Sequence, residues 1–423
     1  MVVMYGSTRN VAMLGVAMFF TGVAYNTAGF VVEPVVEAAS HRLNIHPHAG
    51  YYSLSVVYAV FTLGNFIATP LVDILTPKWA MCLATSGYIA YCLSFLWLNT
   101  YLLYATSVFV GICASLLWIG QGSYIAQNST EKNLDRNSAI VLVLTQLALI
   151  AGGTFLFSIF EFSVDTNKYS GSMVQIIFLS FAACCIVSTV ITAVLPNVNV
   201  TVSDKSYFKL LGETTRLMFT ADMMLLSVVF AFSGFEMAIW AVVFPTSVAF
   251  TKSLLVQSKS ILALVSIATG VGQVGAALSF YFVGKKAQSI GRKMIVFFGA
   301  FVNSIAFILI WASLPSEASL RTTEASGPLI EPRIWISLIV GLMLGVADTV
   351  WCQQIVTIIC EKFPLQATSA FAIFRFVQTA LTSCVMYGST VVSLSYQMAV
   401  GIVGCVAACV AFSIVERRTP ESS

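Results

Sequence analysis

Apolar stretches of membrane-spanning length recur along the whole chain, and short polar segments punctuate them. A bilayer core of about 30 Å takes about 20 helical residues to cross. The pattern predicts twelve membrane helices, at 10–37, 50–75, 78–98, 101–127, 138–163, 172–195, 221–248, 258–284, 293–313, 334–360, 366–389 and 392–415. Turn-forming or charged segments separate most of them: "HRLNIHPHAG", "TPK", "NSTEKNLDRN", "DTNKYSG", "GKKAQSIGRK" and "PSEASLRTTEASGPLIEPR". A membrane β-barrel would alternate polar and apolar residues over short segments, which these runs do not. The expected fold class is an all-α polytopic membrane protein.

Composition strengthens this reading. Of 423 residues, 58% are hydrophobic and only 9% charged, against roughly 25% charged in a soluble domain. The net charge of +3 comes without a basic block, so nucleic acid is not an expected partner; the lipid bilayer is. The ten cysteines lie inside apolar runs and show neither a disulfide framework nor metal-ligand spacing. They read as small packing residues. No nucleophile–base constellation, phosphate loop or metalloenzyme motif is present, so neither enzyme activity nor a cofactor or metal is expected. The first apolar run is too long for a cleavable signal and continues through charged positions.

Lysine and arginine set the expected orientation. With a cytoplasmic N-terminus, fourteen of them fall on the cytoplasmic side and six on the other, with Arg375 inside helix 11. The positive-inside rule then puts both tails in the cytoplasm. The chain divides into a six-helix bundle (1–195), a cytoplasmic linker (196–220), a second six-helix bundle (221–415) and a short tail (416–423). The halves echo each other. Aligning Pro34 with Pro245 sets Tyr25 and Asn26 opposite Glu236 and Met237. Trp118-Ile119-Gly120-Gln121 in helix 4 matches Trp351-Cys352-Gln353-Gln354 in helix 10, and Gln146 matches Gln378. Together these point to a duplicated unit. In the linker, "KSYFKLLGETTRLMFT" gathers apolar residues on one helical face, as an interfacial helix does.

The candidate chemistry is the set of ionisable residues inside the apolar runs: Glu236, Asp348 and Arg375. An ionised group at mid-bilayer costs roughly 2.5–3.5 kcal/mol, so such residues face the bundle interior and find partners. At about 1.5 Å per residue, Asp348 and Arg375 lie about 18 and 13 Å from the same membrane boundary, which suggests an Asp348–Arg375 pair. That pair is either part of a substrate or proton site or a device that fixes helix packing. Glu236 has no assignable basic neighbour. It is either a group that exchanges protons or a permanently protonated acid bonded to a neighbouring helix. Neutral polar groups accompany them: Tyr25, Asn26, Asn65, Gln121, Gln146, Gln353, Gln354 and Gln378. Glu33 and Glu37 lie close to the three histidines His41, His46 and His48, as in a solvated loop, a pH-sensitive lip or a metal site.

The six-plus-six plan with a cytoplasmic linker resembles the major facilitator superfamily. Its motif G-x-x-x-D-[RK]-x-G-R-[RK] is similar to "GKKAQSIGRK", 284–293, which keeps Gly284, Gly291, Arg292 and Lys293 but has Gln288 in place of the acid. The first copy, "TPLVDILTPK", keeps only Asp73 and Lys78. The resemblance implies that helices 1, 4, 7 and 10 line a central cavity, with Tyr25, Asn26, Gln121, Glu236, Asp348 and Gln354 facing it. "LLWIGQGSYIAQNSTEKNLDRNSAI", "FSGFEMAIW", "GVADTVWCQQI" and "SAFAIFRFVQ" further resemble the ion channel regulatory family named after a nematode uncoordinated locus. That family's founder is a regulatory subunit of a muscle potassium channel, and an immune relative escorts Toll-like receptors. The tails here are very short, so tail-mediated partner binding does not carry over.

Two functional readings follow. One is a non-enzymatic regulator or escort of an ion channel or receptor subunit on a transporter-like scaffold. The other is a proton-coupled carrier of a small polar or anionic solute. The host membrane is the plasma membrane or an endosomal one. The orientation makes a prediction of its own. The sequons Asn128-Ser129-Thr130 and Asn199-Val200-Thr201 fall on the cytoplasmic side, so endoglycosidase treatment is expected to leave the protein's mobility unchanged. A glycan at either site contradicts the orientation.

Overall fold

In hydrocarbon the backbone must satisfy its own N–H and C=O groups, so each apolar run folds as a helix. The computed structural model describes residues 2–129, 134–162, 171–197, 207–258, 260–363 and 366–418; the side-chain surroundings of residues 2–7, 69, 73, 134, 135, 207–210 and 281–290 lie outside that description. The helices of the first half are α1 (Val2–Leu43), α2 (Ala49–Leu75), α3 (Pro77–Ser94), α4 (Thr100–Gln127), α5 (Leu134–Phe162) and α6 (Gly171–Val194). A short α7 (Tyr207–Met218) precedes α8 (Ala221–Ala238), which continues through a π-turn (Ile239–Val243) into α9 (Phe244–Phe250). Then come α10 (Lys252–Gln257), α11 (Ile261–Ile290), α12 (Arg292–Ser313), α13 (Ile334–Lys362), α14 (Ala367–Gly388) and α15 (Leu394–Arg417).

Twelve of these spans are long and apolar enough to cross a membrane, with α8 and α9 counting as one. This is the number the hydropathy pattern predicts. The ends differ. α1 starts at Val2 and runs to Leu43, beyond the predicted 10–37, because a helix that leaves the bilayer loses no backbone hydrogen bond. With twelve crossings both ends of the chain lie on one face, called here the terminal face.

The packing repeats with a period of six crossings. In the first half α1 packs on α5 and α6, α2 on α4, and α3 on α4 and α6. In the second, α8 packs on α14 and α15, α11 on α13, and α12 on α13 and α15. Each contact of the first set becomes one of the second when every crossing is advanced by six, so the fold is two pseudo-equivalent bundles. The main seams between them are α2 with α14 and α5 with α11, which exchange under the same operation.

The α2–α14 seam is an antiparallel ladder. Ser55 and Ser383 donate reciprocally to each other's carbonyls at 3.0 and 2.8 Å. The hydroxyls of Thr62 and Thr379 lie 2.7 Å apart, and the rings of Phe66 and Phe376 meet at 5.4 Å. An interhelical bond of this kind contributes about 0.6 kcal/mol in lipid. The seam is therefore held by small increments.

Pro245 explains the break in the seventh crossing. It has no N–H to give the Ala241 carbonyl four residues back. The helix widens, and Phe244 N–H reaches the Ile239 carbonyl instead. The Ala241 carbonyl faces Gly29 of α1, where an added Cβ would stand 3.0 Å from it. α1 and the seventh crossing thus meet backbone to backbone.

Two further features frame the bundle. On the terminal face the linker helix α7 docks on α14, with Thr214 donating to Ser369 at 2.8 Å. On the opposite face the 314–333 segment is tied down by a Thr251–Thr323 bridge and by Lys252–Glu324 at 2.9 Å. There the Thr323 hydroxyl and the Arg321 guanidinium hold the Glu317 carboxyl below the usual carboxylate range.

The α2–α3 and α11–α12 turns share one backbone geometry. Gly291 has φ 82°, ψ 136°, and Thr76, at the matching position of the degraded first motif copy, has φ 69°, ψ 151°. That region is essentially glycine-only and costs another residue about 1–3 kcal/mol. Glycine's own entropic penalty is about 0.5–1 kcal/mol. Thr76→Gly is therefore expected to stabilise the protein by roughly 1 kcal/mol, read as a higher thermal midpoint in detergent, and Gly291→Thr to lower it. No gain from Thr76→Gly would mean that the turn carries no strain.

Candidate functional site

The interface between the bundles holds a cavity of about 60 Å³. One water needs about 10–15 Å³ of such space and drug-sized ligands fill 300–1,000 Å³, so the cavity suits several waters or a small solute. Its polar groups include Tyr25 and Asn26 of α1, Tyr58 of α2, and Arg375 and Gln378 of α14. Met18, Phe61, Leu117 and Met237 supply apolar wall.

Arg375 is the cationic group of this wall. Its guanidinium lies 5.1 Å from the Trp118 ring of α4 and 5.1 Å from the Phe374 ring. Nη1 donates to Gln378 Oε1 at 2.9 Å, and Gln378 Nε2 donates to Ser233 Oγ at 2.9 Å. Among the described residues no carboxylate lies within 4.0 Å of the guanidinium. Two cation–π contacts at about 0.5–2 kcal/mol each are comparable to the roughly 2.5–3.5 kcal/mol cost of placing the charge there. The aromatic faces and Gln378 therefore make the cation tolerable without an acid beside it.

Asp348 does not pair with Arg375. Its Oδ1 accepts from Trp240 Nε1 at 3.1 Å and its Oδ2 from Gln273 Nε2 at 3.0 Å. It is buried within the second bundle, between α13, the π-turn and α11. Gly345, one turn earlier in α13, lets the α11 backbone approach at Thr269 and brings Gln273 within reach. The expected pair rested on similar depth in the membrane, and depth does not fix the direction a side chain faces.

Glu236 is fully buried and turned toward α12, where Asn303 Nδ2 donates to its Oε1 at 2.8 Å. Among the described residues Glu236 Oε2 and Asn303 Oδ1 have no hydrogen-bond partner. Met237, next in sequence, lines the cavity, but Glu236 does not. The π-turn between Glu236 and Pro245 swings the preceding segment around the helix axis, so matching the prolines does not carry the facing of Tyr25 over to Glu236.

The structure thus brings Tyr25, Asn26 and Arg375 together at the cavity and leaves Glu236, Asp348, Gln121 and Gln354 off its wall. Gln121 Oε1 and Gln354 Oε1 are buried without a partner among the described residues. Trp118, Trp240, Gln273 and Asn303 were not among the sequence candidates. Gln273 and Asn303 are amides inside apolar runs, which was the available signal.

The motif remnants lie apart from the cavity, on the terminal face. Arg292 pairs with Glu361, and Lys293 approaches Glu416 at 3.9 Å. Beside them Asp222 takes Lys362 at 3.0 Å and Arg418 at 3.3 Å. Lys78 Nζ stands 5.0 Å from the Trp79 ring. Asp73 and Gly284 lie outside the residues whose surroundings are described. On the opposite face, Glu33 accepts from Tyr51 N–H at 2.7 Å and meets His48 Nδ1 at 3.1 Å. His41 and His46 are exposed. Among the described residues no group of three or more His, Cys, Asp or Glu is placed to hold a metal.

The Glu236–Asn303 contact can be tested directly. Asn303→Leu strands a buried carboxyl and is expected to cost about 1–3 kcal/mol, whereas Glu236→Gln keeps the acceptor for Asn303 and should cost less than about 1 kcal/mol. Thermal unfolding in detergent reads both. Equal losses would show that the contact does not matter.

Comparison with known proteins agrees with this architecture. The family model described as "Ion channel regulatory protein UNC-93" matches residues 40–413. The UNC93-like protein MFSD11 of Xenopus tropicalis is 26% identical over 430 aligned positions, covering 96% of this chain and 95% of the relative. The UNC93-like protein 3 of Arabidopsis thaliana is 23% identical, covering 94% and 83%. Among solved structures, a mutant of the nucleoside transporter NupG superposes with a TM-score of 0.67 at 14% identity, covering 96% of this chain and 99% of that one. A mutant of the peptide transporter POT gives 0.68 at 12% identity, covering 97% and 95%. These two show the fold, and the family match extends over most of the twelve-span chain. This integral membrane protein belongs to the UNC-93 family of ion channel regulatory proteins.

Proposed function

We propose that this chain is a non-enzymatic regulator or escort of another membrane protein, a potassium channel subunit foremost, on a transporter-like scaffold. The family's description supports an ion channel as the partner. The observation that carries the reading is the separation of the membrane acids from the cavity. A proton-coupled carrier needs its proton-exchanging carboxyl to sense the solute. Here both Asp348 oxygens are engaged by Trp240 and Gln273, and Glu236 is turned toward Asn303. In this reading both termini are cytoplasmic and the host is the plasma membrane or an endosomal membrane.

A second reading, a carrier of a small anionic solute, draws on one observation: the Arg375 guanidinium in the cavity wall has no carboxylate partner among the described residues. The two readings separate in paired experiments. Co-expression with potassium channel subunits is expected to change current density or surface abundance, and a channel subunit is expected to co-purify. Unchanged currents across a broad channel panel, with solute accumulation in proteoliposomes containing the purified protein, would replace the regulator with the carrier.

A further inference from the structure

We infer that the central cavity is a binding site for a short-chain carboxylate of two to four carbons, held by Arg375 and its aromatic cage. The inference concerns binding and stands whether the protein regulates a partner or moves a solute.

Three observations fit together. First, the guanidinium is prepared for an oxyanion. Trp118 and Phe374 pack near it, and Gln378 takes one N–H. A guanidinium presents five N–H donors in a rigid fork whose geometry matches the two oxygens of a carboxylate. Gln378 is itself tied to Ser233, so the donor set is oriented in advance. Asp348, the membrane acid expected to neutralise Arg375, is committed to Trp240 and Gln273.

Second, a further polar group points to a ligand. Tyr25 lines the same cavity, and its hydroxyl is buried beside that of Tyr58, also in the wall, where the pair has a proton left to donate. The Tyr25 ring is fixed edge-on against Tyr88 at 5.1 Å. A buried hydroxyl is normally bonded. Tyr25 and the Asn26 amide can serve a second oxygen of the ligand, such as a hydroxyl or keto group beside the carboxylate.

Third, size and wall set the class. The cavity of about 60 Å³ is far below the 300–1,000 Å³ of ordinary ligand pockets, which suits a ligand much smaller than a peptide or nucleoside. Met18, Phe61, Leu117 and Met237 give a short alkyl group an apolar surface, which a bare halide would not use.

The test uses the purified full-length protein in detergent, in a low-salt buffer of constant ionic strength. Thermal stability is followed as acetate, propionate and lactate are titrated, each against its neutral amide, with sodium chloride as a separate arm. Saturable stabilisation by a carboxylate, absent with the amide, is expected. Tyr25→Phe should weaken lactate more than propionate. Arg375→Lys keeps the charge but loses the fork and should weaken binding about tenfold, a difference of about 1.4 kcal/mol. Arg375→Gln should abolish it. If Arg375→Gln does not fold, Trp118→Leu replaces it, and its expected weakening of carboxylate binding decides. No stabilisation by any carboxylate overturns the inference. So do equal effects of acids and amides, or chloride matching the carboxylates. Because the readout is binding, a negative result leaves the co-expression outcome untouched, and a negative co-expression result leaves this one untouched.

Discussion

Water is absent from the hydrocarbon, so every polar group placed there must be answered by the protein itself. The interior of this chain is organised by that constraint. Three ionisable residues receive three different answers. Asp348 is solvated by two neutral donors, an indole and an amide. Glu236 takes one amide. Arg375 sits beside two aromatic rings and gives one N–H to a glutamine. No two of them neutralise each other in a direct ion pair. Each answer joins helices that would otherwise be free to rotate: α13 to the seventh crossing and α11, α8 to α12, and α14 to α4. Apolar helices are smooth to one another in lipid, since lipid tails are as apolar as leucine. Polar contacts of this kind therefore fix rotation about the helix axis.

Duplication supplies the frame in which these differences show. The contact pattern of the first six crossings recurs in the second six, and the strained turn at Thr76 repeats the backbone of Gly291. The furnishing of the two bundles is unequal. The acids in the middle of the spans, Glu236 and Asp348, belong to the second bundle, whereas the cavity wall near Arg375 is mostly first-bundle tyrosine and tryptophan. The cation comes from the second bundle and part of its cage from the first, so the cavity chemistry depends on the two halves being together.

Much of the fold was legible in the residues. Hydropathy and length set the number of crossings, and the apolar face of "KSYFKLLGETTRLMFT" marked α7 in the linker. The motif copy at 284–293 pointed to a transporter-like fold, and the family-like stretches to the family found over 40–413. The candidate site was legible only in part. Tyr25, Asn26 and Arg375 do meet the cavity, but the Asp348–Arg375 pair was inferred from depth along the membrane normal. Depth leaves rotation about the helix axis undetermined, and α13 is apolar on nearly all sides, so its sequence gives little indication of facing. Glu236 was misdirected by the π-turn, which a proline hints at without showing how the backbone relaxes. Gln273 and Asn303 were overlooked because neutral amides look less costly than charges, yet they are the groups that meet the acids.

One helix gathers several of these elements. α14 carries Ser369, bonded to the linker helix at one end. Arg375 lies two turns further along, and Thr379 and Ser383 of the seam follow on the same rod. A helix held by its own hydrogen bonds moves as a stiff body, so a displacement of the linker is delivered along α14 to the guanidinium and the inter-bundle ladder together. The fold has in this helix a mechanical lever between its linker and the guanidinium of the cavity wall.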